Sequence, residues 1–144
     1  MARRTIRTTR SDRVAAGIRI ALGVLFVMSG LMKLVVPSLG AAFVGQLEAA
    51  NLPLQQLTVW IVPFIEVAVG GALLFGFYAR MAALVVLPLM MVATYVHVVS
   101  DDPSLFPLQP ERPFIPLMVM FLAAYVLAYG GGAGSADLRA SSGE

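Results

Sequence analysis

Three ionisable side chains lie in stretches of the sequence that are otherwise almost entirely apolar. Glu66 is the single charged residue between Leu57 and Phe77, and Lys33 and His97 lie near the ends of two further apolar runs. A carboxylate at the centre of a membrane helix costs roughly 2.5–3.5 kcal/mol and is normally retained with a partner or a function. An acid, an amine and an imidazole brought together could transfer a proton or bind a carbonyl or hydroxyl group.

Helical spacing predicts that these side chains meet in one polar pocket. Ser29 lies one turn before Lys33, and Thr94 lies one turn before His97. Glu66 lies about 13 Å into its run at 1.5 Å per residue, within reach of a lysine on a neighbouring helix. Two interpretations stay open. The cluster is either a buried salt bridge with a satisfied histidine that fixes helix pairing, or a small pocket that handles a ligand or a proton.

Arg19 shares a helix face with Lys33 but lies within about two turns of the other end of the same run. A long arginine side chain at that depth can extend to the lipid headgroups. The favoured interpretation is therefore that Arg19 reaches the membrane surface.

Composition indicates a membrane protein. Of 144 residues, 59% are hydrophobic and 12% are charged, with a mean hydropathy of +0.86, whereas soluble domains have about 45–50% apolar and about 25% charged residues. There are no cysteines and one histidine, so we predict no metal site, no disulfide and no cofactor held by this chain through thiolates.

Four apolar segments predict an all-α transmembrane four-helix bundle over residues 14–130. Each is near the ~20 residues needed to cross ~30 Å of hydrocarbon. The predicted spans are residues 14–36, 57–77, 81–99 and 114–129.

Basic residues predict the orientation of the bundle. Residues 1–13 form a tail with five arginines, Arg80 lies in the short connection between spans two and three, and residues 131–144 form a tail that we expect to be flexible. Because cytoplasmic segments are enriched in Lys and Arg, both tails and Arg80 are predicted to be cytoplasmic. Such a cluster beside a span has a topological role, so we predict no nucleic-acid partner.

The two longer loops are predicted to face outward. Between residues 37 and 56, apolar residues recur at helical spacing, which predicts a short amphipathic helix that lies either at the outer interface or over the bundle mouth; they are Leu39, Phe43, Val44 and Leu47. The loop at 100–113 contains four prolines and is predicted to be a stiff cover.

Helix packing in lipid depends on small residues that allow close approach. Ala68, Ala72 and Gly76 recur at four-residue spacing in the second span, and Gly23 and Gly30 lie on one face of the first. We therefore predict that these five positions form helix contacts.

Several motifs occur in order along these spans. They are Ser-Gly-x-x-Lys at 29–33, Pro-x-x-Glu-x-x-x-Gly-Gly at 63–71, Arg80 after the short turn, His97, and Gly-Ala-Gly-Ser-Ala-Asp at 132–137. With them the chain resembles the DoxX family of small four-helix membrane proteins from about residue 19 to residue 137. The closing aromatic residue typical of that family after Gly-Ser is absent here.

The resemblance implies a multi-pass protein of the cytoplasmic (inner) membrane of a bacterium or archaeon. Relatives are associated with membrane oxidoreductase complexes, and one branch looks like the small subunit of a thiosulfate:quinone oxidoreductase. The resulting hypothesis is an accessory subunit of such a complex that contributes to a quinone pocket, rather than an enzyme acting alone. Alternatives are a carrier for a small lipophilic or weakly acidic molecule and a structural or assembly subunit. Expected partners are the lipid bilayer and either another membrane protein or a second copy.

Overall fold

The computed structural model describes residues 9–100 and 113–142, and every regular element in these ranges is an α-helix. The all-α prediction is therefore confirmed. The proline-rich residues 101–112 and the arginines before residue 9 lie outside the described residues. The helices are α1 (Arg13–Val35), α2 (Pro37–Ala49), α3 (Gln55–Phe75), α4 (Ala79–Val99), α5 (Phe114–Tyr129) and α6 (Ala136–Ser142).

Three of these helices have the length and composition of membrane spans. α1 has 23 residues and α3 and α4 have 21 each, whereas the apolar α5 has 16. At 1.5 Å per residue α1, α3 and α4 are about 31–35 Å long, which matches the hydrocarbon thickness. The predicted membrane bundle is thus confirmed, with α5 as its shortest member.

The four long helices form a closed square. α1 packs most extensively against α3 and α4 against α5, and further contacts between α1 and α5 and between α3 and α4 close the square. Phe26, Leu73, Val86, Val119 and Val126 are among the residues that fill its centre. We call the end where α3 begins the α2 end, and the end where α4 begins the Arg80 end.

Glycines allow α1 and α3 to approach closely. A Cβ added to Gly30 would lie 2.6 Å from the Pro63 carbonyl oxygen, and one added to Gly70 would lie 2.6 Å from the Val27 nitrogen. Gly23 likewise faces α3, where an added Cβ would lie 2.8 Å from the Leu74 nitrogen. The contact between α1 and α3, which we call the α1–α3 seam, thus depends on a close approach of the two backbones that a larger residue would prevent.

The structure corrects one position, Ala68, of the small-residue stripe predicted on α3, whereas Ala72 packs against the core and Gly76 closely contacts Ser135. Ala68 is exposed, Ala72 is half-buried beside the core, and Gly76 ends the helix in a left-handed conformation (φ 64°). The face that meets α1 instead contains Gly70. Four-residue spacing identified a real stripe, but the rotation of α3 about its axis turns Ala68 out of the contact.

Replacing Gly30 with alanine is expected to destabilise the bundle by about 1–3 kcal/mol, because the added methyl group forces α1 and α3 apart. Gly17 is the matched control, since it lies on the same helix and an added Cβ there meets nothing within 4 Å. Unfolding of both variants in mixed micelles checks this. Equal stabilities for Gly30→Ala and Gly17→Ala would contradict the seam.

The predicted amphipathic helix is present as α2. Its Leu47 packs with Ala50 and with Val96 of α4, and Phe43 lies against this cluster. The helix therefore lies over one end of the bundle with its apolar face toward α3 and α4.

The segment after α5 packs against the Arg80 end, although residues 131–144 were expected to be flexible. Ser135 is fully buried and Asp137 is 1% exposed. The Asp137 carboxylate accepts hydrogen bonds from the backbone N–H groups of Tyr78 (3.0 Å) and Ala79 (2.9 Å). A side chain distant in sequence thus supplies the N-terminal cap that α4 otherwise lacks.

Arg19 does not reach the membrane surface, so that interpretation is wrong. It is 3% exposed, and its Nε donates to the Gly131 carbonyl at 2.7 Å. Its Nη1 donates to the carbonyls of Leu73 and Leu74, the latter at 2.5 Å. The Leu73 carbonyl also accepts from the Gly76 N–H at 3.0 Å, and the guanidinium adds donors to both carbonyls at the C-terminal end of α3, where intrahelical donors run out.

Candidate functional site

The polar site is centred on an ion pair between α1 and α3. Lys33 Nζ lies 2.5 Å from Glu66 Oε1 and 2.7 Å from Oε2. Lys33 also donates to Ser29 Oγ at 3.1 Å, and the Ser29 hydroxyl donates to Glu66 Oε2 at 3.4 Å. Three predicted site residues therefore form one connected hydrogen-bonded group.

The two side chains of the ion pair are buried to different degrees. The Glu66 side chain is 5% exposed, whereas that of Lys33 is 20% exposed. The Lys33 ammonium also lies 4.8 Å from the centre of the Phe43 ring of α2, a cation–π contact. The carboxylate thus depends on Lys33 and Ser29 for compensation, while the ammonium remains within reach of a ligand.

The close α1–α3 seam places this pair. Glu66 lies about 16 Å along α3, near the helix midpoint. An added Cβ on Gly30 would lie 3.1 Å from the Glu66 Cβ, so the two backbones are near enough for Ser29 and Lys33 to reach the carboxylate. Sequence spacing indicated the partners, but their distance is a consequence of the glycines between them.

A cavity of about 240 Å³ lies beside the ion pair, in the half of the bundle at the α2 end. Apolar side chains form most of its wall, and those contributed by α4 and α5 include Met90, Val96, Ile115 and Val119. The polar groups that line it are Ser29, Lys33, Gln46, Thr58, Glu66 and His97. An ion pair at the wall of a largely apolar cavity is the arrangement expected of a site that orients a small ligand.

Sequence reasoning missed two of these polar residues. Gln46 was part of the predicted amphipathic helix and Thr58 lies in the first turn of α3, so neither stood out as an intramembrane polar group. The Thr58 hydroxyl donates to the Leu54 carbonyl at 3.1 Å. The sequence feature that could have identified Gln46 was the position of a polar residue on the face of α2 that points toward the bundle.

The two predicted site residues of α4, Thr94 and His97, lie in different surroundings. His97 lines the cavity, and its Nδ1 lies 2.7 Å from the Ala93 carbonyl oxygen. In the neutral ring this contact places the proton on Nδ1 and leaves Nε2 as an acceptor. Thr94 does not line the cavity, and its hydroxyl donates to the Met90 carbonyl of its own helix at 2.7 Å. The expectation that Thr94 belongs to the pocket is corrected.

A second, wider groove runs between α1 and α2 and has a volume of about 710 Å³. Apolar residues such as Val24, Met28 and Leu39 line it. It meets the cavity at residues that line both, namely Leu25, Ser29, Lys33, Phe43 and Gln46. The ammonium of Lys33 therefore lies where the polar cavity joins an apolar groove.

Within the described ranges, no group of three His, Asp or Glu side chains is placed to hold a metal ion. The site offers an ammonium, a carboxylate, a hydroxyl and an imidazole. These groups can bind an oxygen-bearing headgroup and exchange protons with it.

These observations define a class of protein, an all-helical membrane bundle with an ion pair beside a largely apolar cavity. The DoxX family model matches residues 14–98, more than half of the chain. The chain belongs to the DoxX family, as the sequence motifs predicted. The matched part contains Ser29, Lys33, Glu66 and His97, whereas Asp137 lies outside it. Neither a curated protein nor a solved structure matches the chain significantly.

Proposed function

We propose that this DoxX protein is an accessory subunit of a membrane oxidoreductase complex and that its cavity binds a quinone headgroup. The observation that carries the proposal is the Lys33–Glu66 pair at the wall of a mostly apolar cavity. The proposal includes a location in the cytoplasmic membrane with both termini cytoplasmic, and the arginines of the tail and of the Arg80 turn support this orientation.

The chemistry of the site suits both redox states of a quinone. Lys33 and Ser29 can donate hydrogen bonds to a quinone carbonyl, and Glu66 can accept one from a quinol hydroxyl. Reduction of a quinone consumes two electrons and two protons, and Glu66 and His97 are groups able to exchange those protons. With no cysteines and one histidine in the sequence, the electrons are expected to come from a partner subunit.

The size of the cavity also favours binding of a quinone headgroup alone over binding of a whole quinone molecule with its tail. The cavity of about 240 Å³ is smaller than the roughly 300–1,000 Å³ typical of sites for drug-sized molecules. One substituted ring is therefore the appropriate occupant. The apolar groove between α1 and α2 is suited to the isoprenoid tail, because it meets the cavity at Lys33.

Removal of the Ser29 hydroxyl is expected to weaken binding of a short-chain quinone about 5–10-fold, since a hydrogen bond of this kind contributes roughly 1–1.5 kcal/mol. Thr94→Val is the matched control, because it removes a hydroxyl that bonds only within α4. Ligand-induced thermal shift in nanodiscs measures both. Equal quinone responses from Ser29→Ala and Thr94→Val would contradict the assigned site.

Partner capture tests the subunit role separately. Gentle detergent extraction is expected to co-purify a redox subunit that carries flavin, haem or iron–sulfur clusters. Purification of the chain always alone and without quinone would reject this part of the proposal.

The alternative is a carrier or binding protein for a small lipophilic or weakly acidic molecule. Its support is the same groove, which ends at an ammonium that can pair with a carboxylate. Vesicle uptake of organic acids, together with thermal shift across lipids and acids, distinguishes it from the quinone site. A response to acids and none to quinones would favour the carrier.

A further inference from the structure

A further cleft lies at the Arg80 end of the bundle, whereas the cavity beside the ion pair lies in the half at the α2 end. Its volume is about 390 Å³, and polar surface predominates on its walls. The N-terminal segment forms one wall, and the beginning of α4 and the end of α5 form the other. Its lining residues are Thr9, Arg10, Arg80, Ala128 and Tyr129.

Hydrogen bonds hold both walls of this cleft in place. Arg80 Nη1 donates to the Leu127 carbonyl near the end of α5 at 2.9 Å. Thr9 Oγ1 accepts from the Gly132 backbone N–H at 2.9 Å, which fastens the N-terminal segment to the segment after α5. The cleft is therefore formed before any ligand binds.

The cleft is positively charged. Two of its lining residues are arginines, and none of them is acidic. Two carboxylates lie near this end of the bundle outside the cleft lining: Asp12 accepts from the Val14 N–H at 2.7 Å and from the Tyr125 hydroxyl at 3.4 Å, and Asp137 accepts from the Tyr78 and Ala79 N–H groups. Because no acidic residue is among those that line the cleft, its two guanidinium groups favour a bound anion.

The depth of the cleft identifies the source of that anion. Arg80 is the second residue of α4 and Tyr129 is the last residue of α5, so the cleft lies where the helices leave the hydrocarbon. Lipid phosphates occupy this level. Ala128 shares a face of α5 with Phe121, which is 78% exposed. An acyl chain can lie along this apolar face directly below the cleft.

From this arrangement we propose that the cleft of Thr9, Arg10, Arg80, Ala128 and Tyr129 binds the phosphodiester headgroup of an anionic phospholipid. The guanidinium groups bind the phosphate oxygens, and the Tyr129 ring packs beside the glycerol backbone. The site is independent of the quinone proposal, because it uses other residues at the opposite end of the bundle.

The test uses native mass spectrometry of the full chain released from nanodiscs of phosphatidylglycerol mixed with phosphatidylcholine. Wild-type protein is expected to retain phosphatidylglycerol preferentially. Arg10→Gln is expected to retain it about fivefold less tightly, as follows from losing one basic side chain near a membrane surface. Arg139→Gln is the control, because Arg139 is an exposed arginine outside the cleft.

Arg80→Gln is a second variant, and its thermal unfolding is measured in parallel because Arg80 also holds α5. If it does not fold, Arg10→Gln decides the outcome. Equal retention by Arg10→Gln and Arg139→Gln overturns the proposal. Displacement of the lipid by millimolar inorganic phosphate also overturns it, since the site would then be one for free phosphate. Retention lost in Arg10→Gln alone or in both cleft variants, and unaffected by phosphate, supports a phospholipid site.

Discussion

Replacing Lys33 with methionine is expected to lower the free energy of unfolding in mixed micelles by about 3–5 kcal/mol, because it leaves a buried carboxylate without its cation. The Glu66 side chain is 5% exposed and its remaining partner is the Ser29 hydroxyl. Glu66→Met is expected to cost less. The Lys33 side chain is 20% exposed, so an unpaired ammonium can extend toward the membrane surface.

The double variant Lys33→Met/Glu66→Met separates stability from function. Two apolar side chains of similar volume can replace a buried ion pair with little loss, so most of the stability should return. A double-mutant cycle of unfolding free energies measures this coupling. Losses that simply add would show that the pair does not interact as the 2.5 and 2.7 Å distances indicate.

The same double variant distinguishes a ligand-binding site from an ion pair that only fixes helix pairing. If the pair binds quinone, the double variant folds but shows no thermal shift with a short-chain quinone and no activity in its complex. If the pair only fixes helix pairing, the stable double variant keeps both. The outcome therefore decides between the functional and structural interpretations of one geometry.

Arg19→Met is the second substitution with a large expected effect, about 3–4 kcal/mol of unfolding free energy. It removes three hydrogen bonds, to the carbonyls of Leu73, Leu74 and Gly131, and hydrogen bonds that involve a charged group contribute roughly 1.5–3 kcal/mol each. The losses do not simply add, because helix-end carbonyls regain some water when the donor is gone.

Two further variants make this prediction specific. Arg19→Lys keeps the charge but not the planar fork, and is expected to recover only part of the loss. Arg13→Met removes an exposed arginine from the same helix and is expected to change stability by less than about 0.5 kcal/mol. A loss for Arg13→Met as large as that for Arg19→Met would indicate a general effect of charge near the membrane.

Local sequence patterns were sufficient where the governing physics is local. Span positions depend on the length of each apolar run, and α1, α3, α4 and α5 begin and end within about two residues of the predictions. Helix α2 followed from the spacing of Leu39, Phe43 and Leu47. The pairing of Lys33 with Glu66 was open to prediction because a carboxylate in hydrocarbon requires a cation and few cations were in reach.

Predictions that depended on helix rotation were less successful. Ala68 and Thr94 each lie on a real helical stripe, but one is exposed and the other bonds within its own helix. A stripe gives relative positions on a helix and does not state which neighbour it faces. In α3 it is Gly70 that faces α1, where an added Cβ would lie 2.6 Å from the Val27 nitrogen.

The sequence by itself determined that this is a DoxX-family membrane bundle with an acid in its interior, because hydropathy and intramembrane charge act over single helices. Only the tertiary structure decided which partners Arg19 and Asp137 bind. Their partners, Gly131 and the backbone of Tyr78 and Ala79, lie more than 50 residues away in sequence. Each contact forms only when the segment after α5 folds back over the bundle. The buried hydrogen bonds that then form stabilise this segment in its folded-back position.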